Sequence, residues 1–212
     1  MTDSSPPRRQ RRKEARPGEI VAAALAIFQT KGFAASKIED VAHAAGVTKG
    51  TVYLYFSSKE ELFKAAIRET VLPNLDRISD AAMAESTARA RLHTAIHLWA
   101  AGMDNCRGSI SKLMIAEAGN FPELAEFYRE EVIGRVRRML IGIIEAGIAQ
   151  GEFRPCDPAT VTRALCAPVL LSNIFRHTFG NPYENQSDLA KLADSLLDIV
   201  LNGIALNLEV SR

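Results

Sequence analysis

The sequence predicts an all-α protein: a short three-helix module of helix-turn-helix dimensions at the N-terminal end, then a larger helical body. Three observations predict it. Apolar residues recur at spacings of three and four along most of the 212-residue chain. No period-2 run bounded by turn residues interrupts them. Capping residues and glycines stand close together in the first third and further apart beyond about Asp80, so the helices lengthen along the chain.

The elements follow in order. Residues 1–16 hold two prolines, small polar residues and the basic run Arg8-Arg9-Gln10-Arg11-Arg12-Lys13, and read as a disordered basic arm. A first helix opens at Pro17, whose missing N–H has no partner at that position. Ile20, Ala24, Ile27 and Phe28 form its apolar stripe, and Gly32 stops it. Ser36-Lys37-Ile38-Glu39 reads as a capping box for a second short helix, with Ile38, Val41, Ala42 and Ala45 inward and Gly46 at its end. Thr48 caps a third helix reaching Phe56. Ser57-Ser58-Lys59-Glu60 reads as another capping box, opening a fourth helix that Pro73 kinks or ends.

Leu92, Ile96, Trp99 and Met103 then share a face, and Ile110–Ala118 makes a shorter helix. Pro122 opens a helix to about Gln150, with Gly151 as its stop. Asp157-Pro158 caps another that runs through Phe179, and Asp188 to about Leu208 forms the last.

Composition narrows the function. With 47% hydrophobic and 24% charged residues the chain is ordinary for a globular protein. No apolar run approaches the ~20 residues of a membrane span, the longest being broken by Glu145, Asp198 or Asn202. The basic start has no apolar stretch behind it, so no secretory signal is expected. Cys106, Cys156 and Cys166 are odd in number with no CxxC pair, which points to reduced thiols in the cytoplasm rather than to a disulfide framework or zinc knuckle. Neither a nucleophile–base pattern, a Gly-rich phosphate loop nor an HExxH helix is visible, so no enzyme, metal site or cofactor is expected. Glu130-Glu131 reads as a solvated face. The net charge of +1 hides an asymmetry: residues 1–64 carry eleven Lys/Arg against seven Asp/Glu, and the remainder is acidic. A basic module on an acidic body suits a nucleic-acid partner.

The segment Ser36–Phe56 carries that partner best. Ala42 lets the second and third helices approach closely, Gly46 allows the positive φ of a sharp turn, and Val47 and Val52 bury against the first helix. Thr48, Lys49, Thr51, Tyr53 and Tyr55 remain polar or amphipathic, and this helix has no acidic residue to repel phosphate.

The run from Ile38 through Ala42, Gly46, Gly50, Tyr53, Phe56 and Lys59 to Leu62, with Phe28-x-x-x-Gly32-Phe33 before it, resembles the N-terminal signature of the TetR (tetracycline-repressor-like) family. The resemblance covers about a quarter of the chain closely, and the remainder only in length and helix order. It implies a helix-turn-helix DNA-binding domain over 17–63 and an effector-binding and dimerisation domain over 64–212. It implies a homodimer, formed through the last two helices as a four-helix bundle, that reads a palindromic operator with half-sites ~34–36 Å apart. By the same resemblance Thr48, Lys49, Gly50, Thr51 and Tyr55 face bases or adjacent backbone, Tyr53 and Lys59 contact phosphate, and Ser36 and Lys37 open the second helix beside phosphate. Leu54 touches a thymine methyl or packs.

A pocket for a small hydrophobic or aromatic effector is implied among the middle helices, with Trp99, Met103, Met114, Phe121, Phe127, Asn173 and Phe175 as candidate lining and His97 and His177 as possible polar anchors. Val161, Leu165, Leu171 and Phe175, and likewise Leu189, Leu192, Leu196, Val200 and Ile204, give the last two helices wide apolar faces. Repression is the family habit. The rival is a helical small-molecule-binding protein with an idle DNA-binding head.

Overall fold

The computed structural model describes residues 8–103, 107–180 and 189–204, and the regular elements among them are helices. They fall into two compact units, Met1–Val71 and Leu72–Arg212, each with its own apolar core.

The first unit holds α1 (Arg8–Lys31), α2 (Ile38–Ala44), α3 (Lys49–Tyr55) and α4 (Lys59–Thr70). Its α1 begins at Arg8, not at Pro17, so the part of the expected arm that is described is helical; residues 1–7 of that arm lie outside the described residues. Pro17 lacks only its own N–H, and strong helix formers (Arg, Gln, Lys, Glu, Ala) flank it, so the helix continues through it. Ile20, Ala24 and Phe28 bury as the stripe predicts. Phe28, Phe33 and Phe63 form the centre of the core, with ring centroids 5.3–5.7 Å apart in tilted and edge-on pairs. The unit ends beyond the expected division after residue 63, because Ala66 and Ile67 are as fully buried as Leu62 and Phe63 and α4 packs along α1.

The first capping box does not form. Lys37, not Ser36, is the N-cap of α2, with no side-chain cap bond. Ser36 is 3% exposed, and its hydroxyl donates to the carbonyls of Gly32 and Ile27, closing the end of α1 instead. In the second box the capping residue is Ser58, one position later than expected, accepting the Glu61 N–H at 3.1 Å. Thr48 caps α3 as its sequence position predicts.

The second unit contains α5 (Leu72–Met83), α6 (Ala88–Met103), α7 (Arg107–Glu117), α8 (Pro122–Tyr128), α9 (Gly134–Ala149), α10 (Pro158–Phe179) and α11 (Leu189–Ile204). Asp188 and the residues beyond 204, expected in the last helix, lie outside the described residues. The central α6 packs against α5, α9, α10 and α11, and its Leu92, Ala95, Ile96 and Ala100 are fully buried. Its first turn is capped from a distance: Glu152, following α9, accepts the N–H groups of Ala88 (2.9 Å) and Arg89 (3.1 Å). Next to this cap Phe153 lies against Gly147, where a Cβ would stand 2.3 Å from the ring. The helix expected from Pro122 to Gln150 is continuous but contains one π turn, Arg129–Ile133, between α8 and α9.

Asp157 caps α10, accepting from the N–H groups of Ala159 and Thr160. By length and composition the 22-residue α10 is long and apolar enough to cross a bilayer, its most apolar 18 residues having a mean hydropathy of 1.2, although Arg163 and Arg176 interrupt it. Its Val161, Leu165 and Val169 instead bury in the unit's core.

Candidate nucleic-acid interface and ligand chamber

Local chemistry shapes α2 and α3 into a reading head. Gly46 takes φ +64° in the turn between them, a conformation that a side chain would strain. Val52 is fully buried beneath α3, whereas Val47 is only half-buried. This rotation leaves Thr48, Lys49, Gly50, Tyr53 and Leu54 exposed, the last two at 46% and 76%, with Thr51 and Tyr55 half-exposed beside them. Thr48 accepts the Thr51 N–H at 3.2 Å, and the two hydroxyls lie 2.9 Å apart. No acidic residue stands on α3, but one reaches it from α2: Glu39 pairs with the Lys49 ammonium at 2.6 Å. The bond to Lys49 holds the Glu39 carboxyl below its usual range and raises the lysine. Lys49 also lies 5.8 Å from the Tyr53 ring centroid. Lys37 is exposed at the N-cap of α2.

Two expected phosphate contacts are placed elsewhere. Ser36 is buried and bonded within its turn, so its hydroxyl is not presented to a ligand. Lys59 directs its ammonium inward to the carbonyls of Phe33 (2.8 Å), Ser36 (3.1 Å) and Ala34 (3.3 Å), lying 4.5 Å from the Phe33 ring centroid. Here the lysine closes the turn after α1, and the three carbonyls are what a sequence pattern cannot display.

The second unit holds a half-open chamber of about 510 Å³, within the ~300–1,000 Å³ usual for small-molecule sites. Helices α6 to α10 and the π turn all contribute to its wall. Of the residues expected there, Trp99, Met103 and Met114 line it; Phe121, Phe127, Asn173 and Phe175 do not. Asn173 is fully buried and donates to the Met103 carbonyl at 2.9 Å, tying α10 to α6. Phe175 meets Phe179 edge-on along α10, and Phe121 precedes α8 as its N-cap. Phe127 is the neighbour of a lining residue, Tyr128, and therefore points about 100° away around the helix. His97 pairs with Asp194 of α11 at 2.9 Å, and the His177 carbonyl accepts from Lys112; neither histidine lines the chamber.

Sequence reasoning missed the chamber's polar and basic residues. Ser111 Oγ and Tyr128 OH lie 3.1 Å apart, and burial pushes the tyrosine's pKa up. On α10, Ala159, Thr162, Arg163, Cys166 and Leu170 line the chamber at helical spacing, a stripe that small and polar residues in an otherwise apolar helix mark out. Burial pushes the Cys166 thiol up to about 12, so it remains neutral and contributes apolar surface. Among the described residues no three His, Cys, Asp or Glu side chains are grouped to hold a metal ion.

A short exposed helix set by a glycine turn, and a separate helical unit enclosing an apolar chamber, define the class of helix-turn-helix regulators with a ligand-sized cavity. The family follows from the comparisons. Residues 20–66 match the bacterial regulatory proteins of the tetR family, and residues 83–186 match the tetracyclin repressor-like C-terminal domain. The chain belongs to the TetR family of transcriptional regulators. It is 24% identical over 196 residues to the fatty acid metabolism regulator protein of Bacillus subtilis, covering 91% of this chain and 98% of that one. With the transcriptional repressor KstR2 of Mycobacterium tuberculosis it shares 29% identity over 192 residues, covering 89% and 92%. The crystal structure of the regulator FadR from Bacillus subtilis, in complex with stearoyl-CoA, superposes with a TM-score of 0.77 over 88% of this chain and 98% of that one, at 23% identity, and so shares the fold.

Proposed function

We propose that this protein is a cytoplasmic repressor that binds a palindromic operator as a homodimer and responds to a small, mainly apolar effector held in the chamber. The observation that carries the DNA-binding part is α3. Its Thr48, Lys49, Gly50, Thr51, Tyr53 and Tyr55 form an exposed or half-exposed surface with no acidic residue of its own. In this assignment Thr48, Lys49, Gly50, Thr51 and Tyr55 address base edges and adjacent backbone, while Tyr53 and Lys37 address phosphate.

The dimer is supported by what α10 and α11 leave uncovered. Leu189, Ala193, Leu197 and Leu201 bury one face of α11, yet Leu192, Leu196 and Val200 are only half-buried and Ile199 is 68% exposed. Leu171, Phe175 and Phe179 stand exposed on α10. A helix apolar on more than its buried face needs a second surface to cover it. A matching pair from a second copy supplies one with two-fold symmetry. The effector's apolar character is supported by Trp99, Met103 and Met114 in the chamber, and by a similar fold holding stearoyl-CoA. Binding releases DNA because the ligand-bound dimer favours an arrangement of heads that does not fit the operator.

A mobility-shift assay with DNA from the promoter region of the protein's own gene tests this. A retarded complex is expected, with a footprint of two half-sites and altered sequence preference in Lys49→Ala and Thr51→Ala. No complex at micromolar protein would leave the rival, a small-molecule-binding protein with an idle head.

A further inference from the structure

The edge of α3 turned furthest from the protein has a chemistry that its polar neighbours hide. Val52, fully buried, marks the inward direction of the helix. At about 100° per residue, Gly50 and Leu54 each stand roughly 160° from it, on the opposite edge and one turn apart. Thr51 and Tyr53 flank that edge, one on either side. The outermost ridge of the reading helix is therefore Gly50–Leu54, and neither residue has a side chain that donates or accepts a hydrogen bond.

Packing within the protein accounts for neither residue. Leu54, 76% exposed, is the most exposed large apolar side chain among the described residues, and its neighbour Tyr53 is the other large one exposed in the first unit. Gly50 does not take the positive φ that Gly46 takes. Beyond its chain neighbours and the helix backbone, the nearest atom to a Cβ added there would be the Thr48 hydroxyl oxygen at 3.9 Å. Glycine inside a helix costs stability relative to alanine. One that neither backbone conformation nor packing requires points to an outside surface that comes close to the backbone. Helical side chains lean towards the N-terminus, so the gap over Gly50 lies beside Leu54.

In the major groove the base edges present donors and acceptors, and one projecting apolar group, the 5-methyl of thymine. A leucine laid on an amino group or carbonyl strips it of water and returns no hydrogen bond. Laid on a methyl, it buries apolar surface on both partners. We propose that Leu54 is a specificity-determining residue that reads one thymine methyl in each operator half-site, and that Gly50 clears the backbone for the base pair to come that close. This rests on α3 being the helix that enters the groove, and adds the base chemistry that its apolar ridge selects.

Fluorescence anisotropy of the full-length protein with synthetic duplexes tests it. The probe is the tightest sequence selected from a randomised pool, remade with each thymine in turn replaced by deoxyuridine, which lacks only the methyl. One thymine per half-site, at symmetric positions, is expected to weaken binding roughly fourfold when demethylated, and the two together roughly fifteenfold. Leu54→Ala is expected to bind the thymine duplex more weakly than wild type, and to bind the deoxyuridine duplex as well as the thymine one. A general loss of contact would not give that indifference. Gly50→Ala is expected to weaken binding tenfold or more while its melting temperature holds or rises, since the added methyl meets open space in the free protein. If no deoxyuridine position weakens wild type, or each weakens Leu54→Ala by the same factor, the assignment to Leu54 is overturned while DNA binding by α3 stands. If Gly50→Ala binds as tightly as wild type, the close approach is overturned. If no duplex is bound at micromolar protein, the DNA-binding reading falls and this inference with it.

Discussion

Lys49 and Lys59 show how two lysines of one small unit acquire different work from their surroundings. Lys49 is exposed on α3 and bonded to Glu39 of α2, a partner that has to yield before the ammonium reaches DNA. Removing that competitor while keeping the side chain's shape is therefore expected to help: Glu39→Gln should tighten DNA binding a few-fold at low salt and steepen its salt dependence. Fluorescence anisotropy against salt concentration reads both, and weaker binding would mean that Glu39 itself serves the interface. Lys59 has the opposite role. With its ammonium on three carbonyls, Lys59→Met is expected to cost the folded state about 1–3 kcal/mol in urea unfolding. The slope of DNA affinity against salt should not change. A slope lower by about one with undiminished stability would return Lys59 to the phosphates.

At the scale of elements, most helices are legible because local chemistry decides them. The Thr48 and Asp157 caps, the Gly46 turn and the apolar stripe of α1 each act within a turn or two of chain. The misread features depend on distant partners. Ser36 has the spacing of a capping box, but its hydroxyl bonds to Gly32 and Ile27 because the chain turns back over the end of α1. The π turn is equally hidden. It adds one residue to a turn, yet Tyr128, Val132 and Val136, which line the chamber across it, keep the spacing of four that an uninterrupted helix also shows, so the residue pattern does not reveal it. Gly147 of α9, which the sequence does not single out, is the contact that seats Phe153 beside the Glu152 cap of α6. Gly147→Ala places a methyl 2.3 Å from that ring, also 2.9 Å from Ala88 Cβ, and is expected to destabilise by about 1–3 kcal/mol. Thermal unfolding of the variant, with Gly142→Ala as the open-space control, measures it; equal loss in both would remove the packing role.

At the scale of the whole molecule the proposed homodimer carries the function, since a palindrome is read by two heads at fixed spacing. Placing opposed demands on the apolar faces tests it. Leu171→Glu with Ile199→Lys is expected to convert a gel-filtration dimer at micromolar concentration to a monomer and to weaken operator binding by orders of magnitude, while helical content by circular dichroism is kept. A wild-type monomer under the same conditions would overturn the assembly.

By itself the amino-acid sequence determined the all-helical class, the order of most helices though not α5, the helix-turn-helix and the family, because periodicity, caps and turn glycines act over a few residues. Only the tertiary structure decided which side chains face the chamber, that Ser36 and Lys59 serve the interior, and that Arg137, Thr162 and Tyr128 line one chamber. The reason is physical: a helix's sequence states which of its faces is apolar, but what each face meets depends on the crossing of helices far apart in the chain.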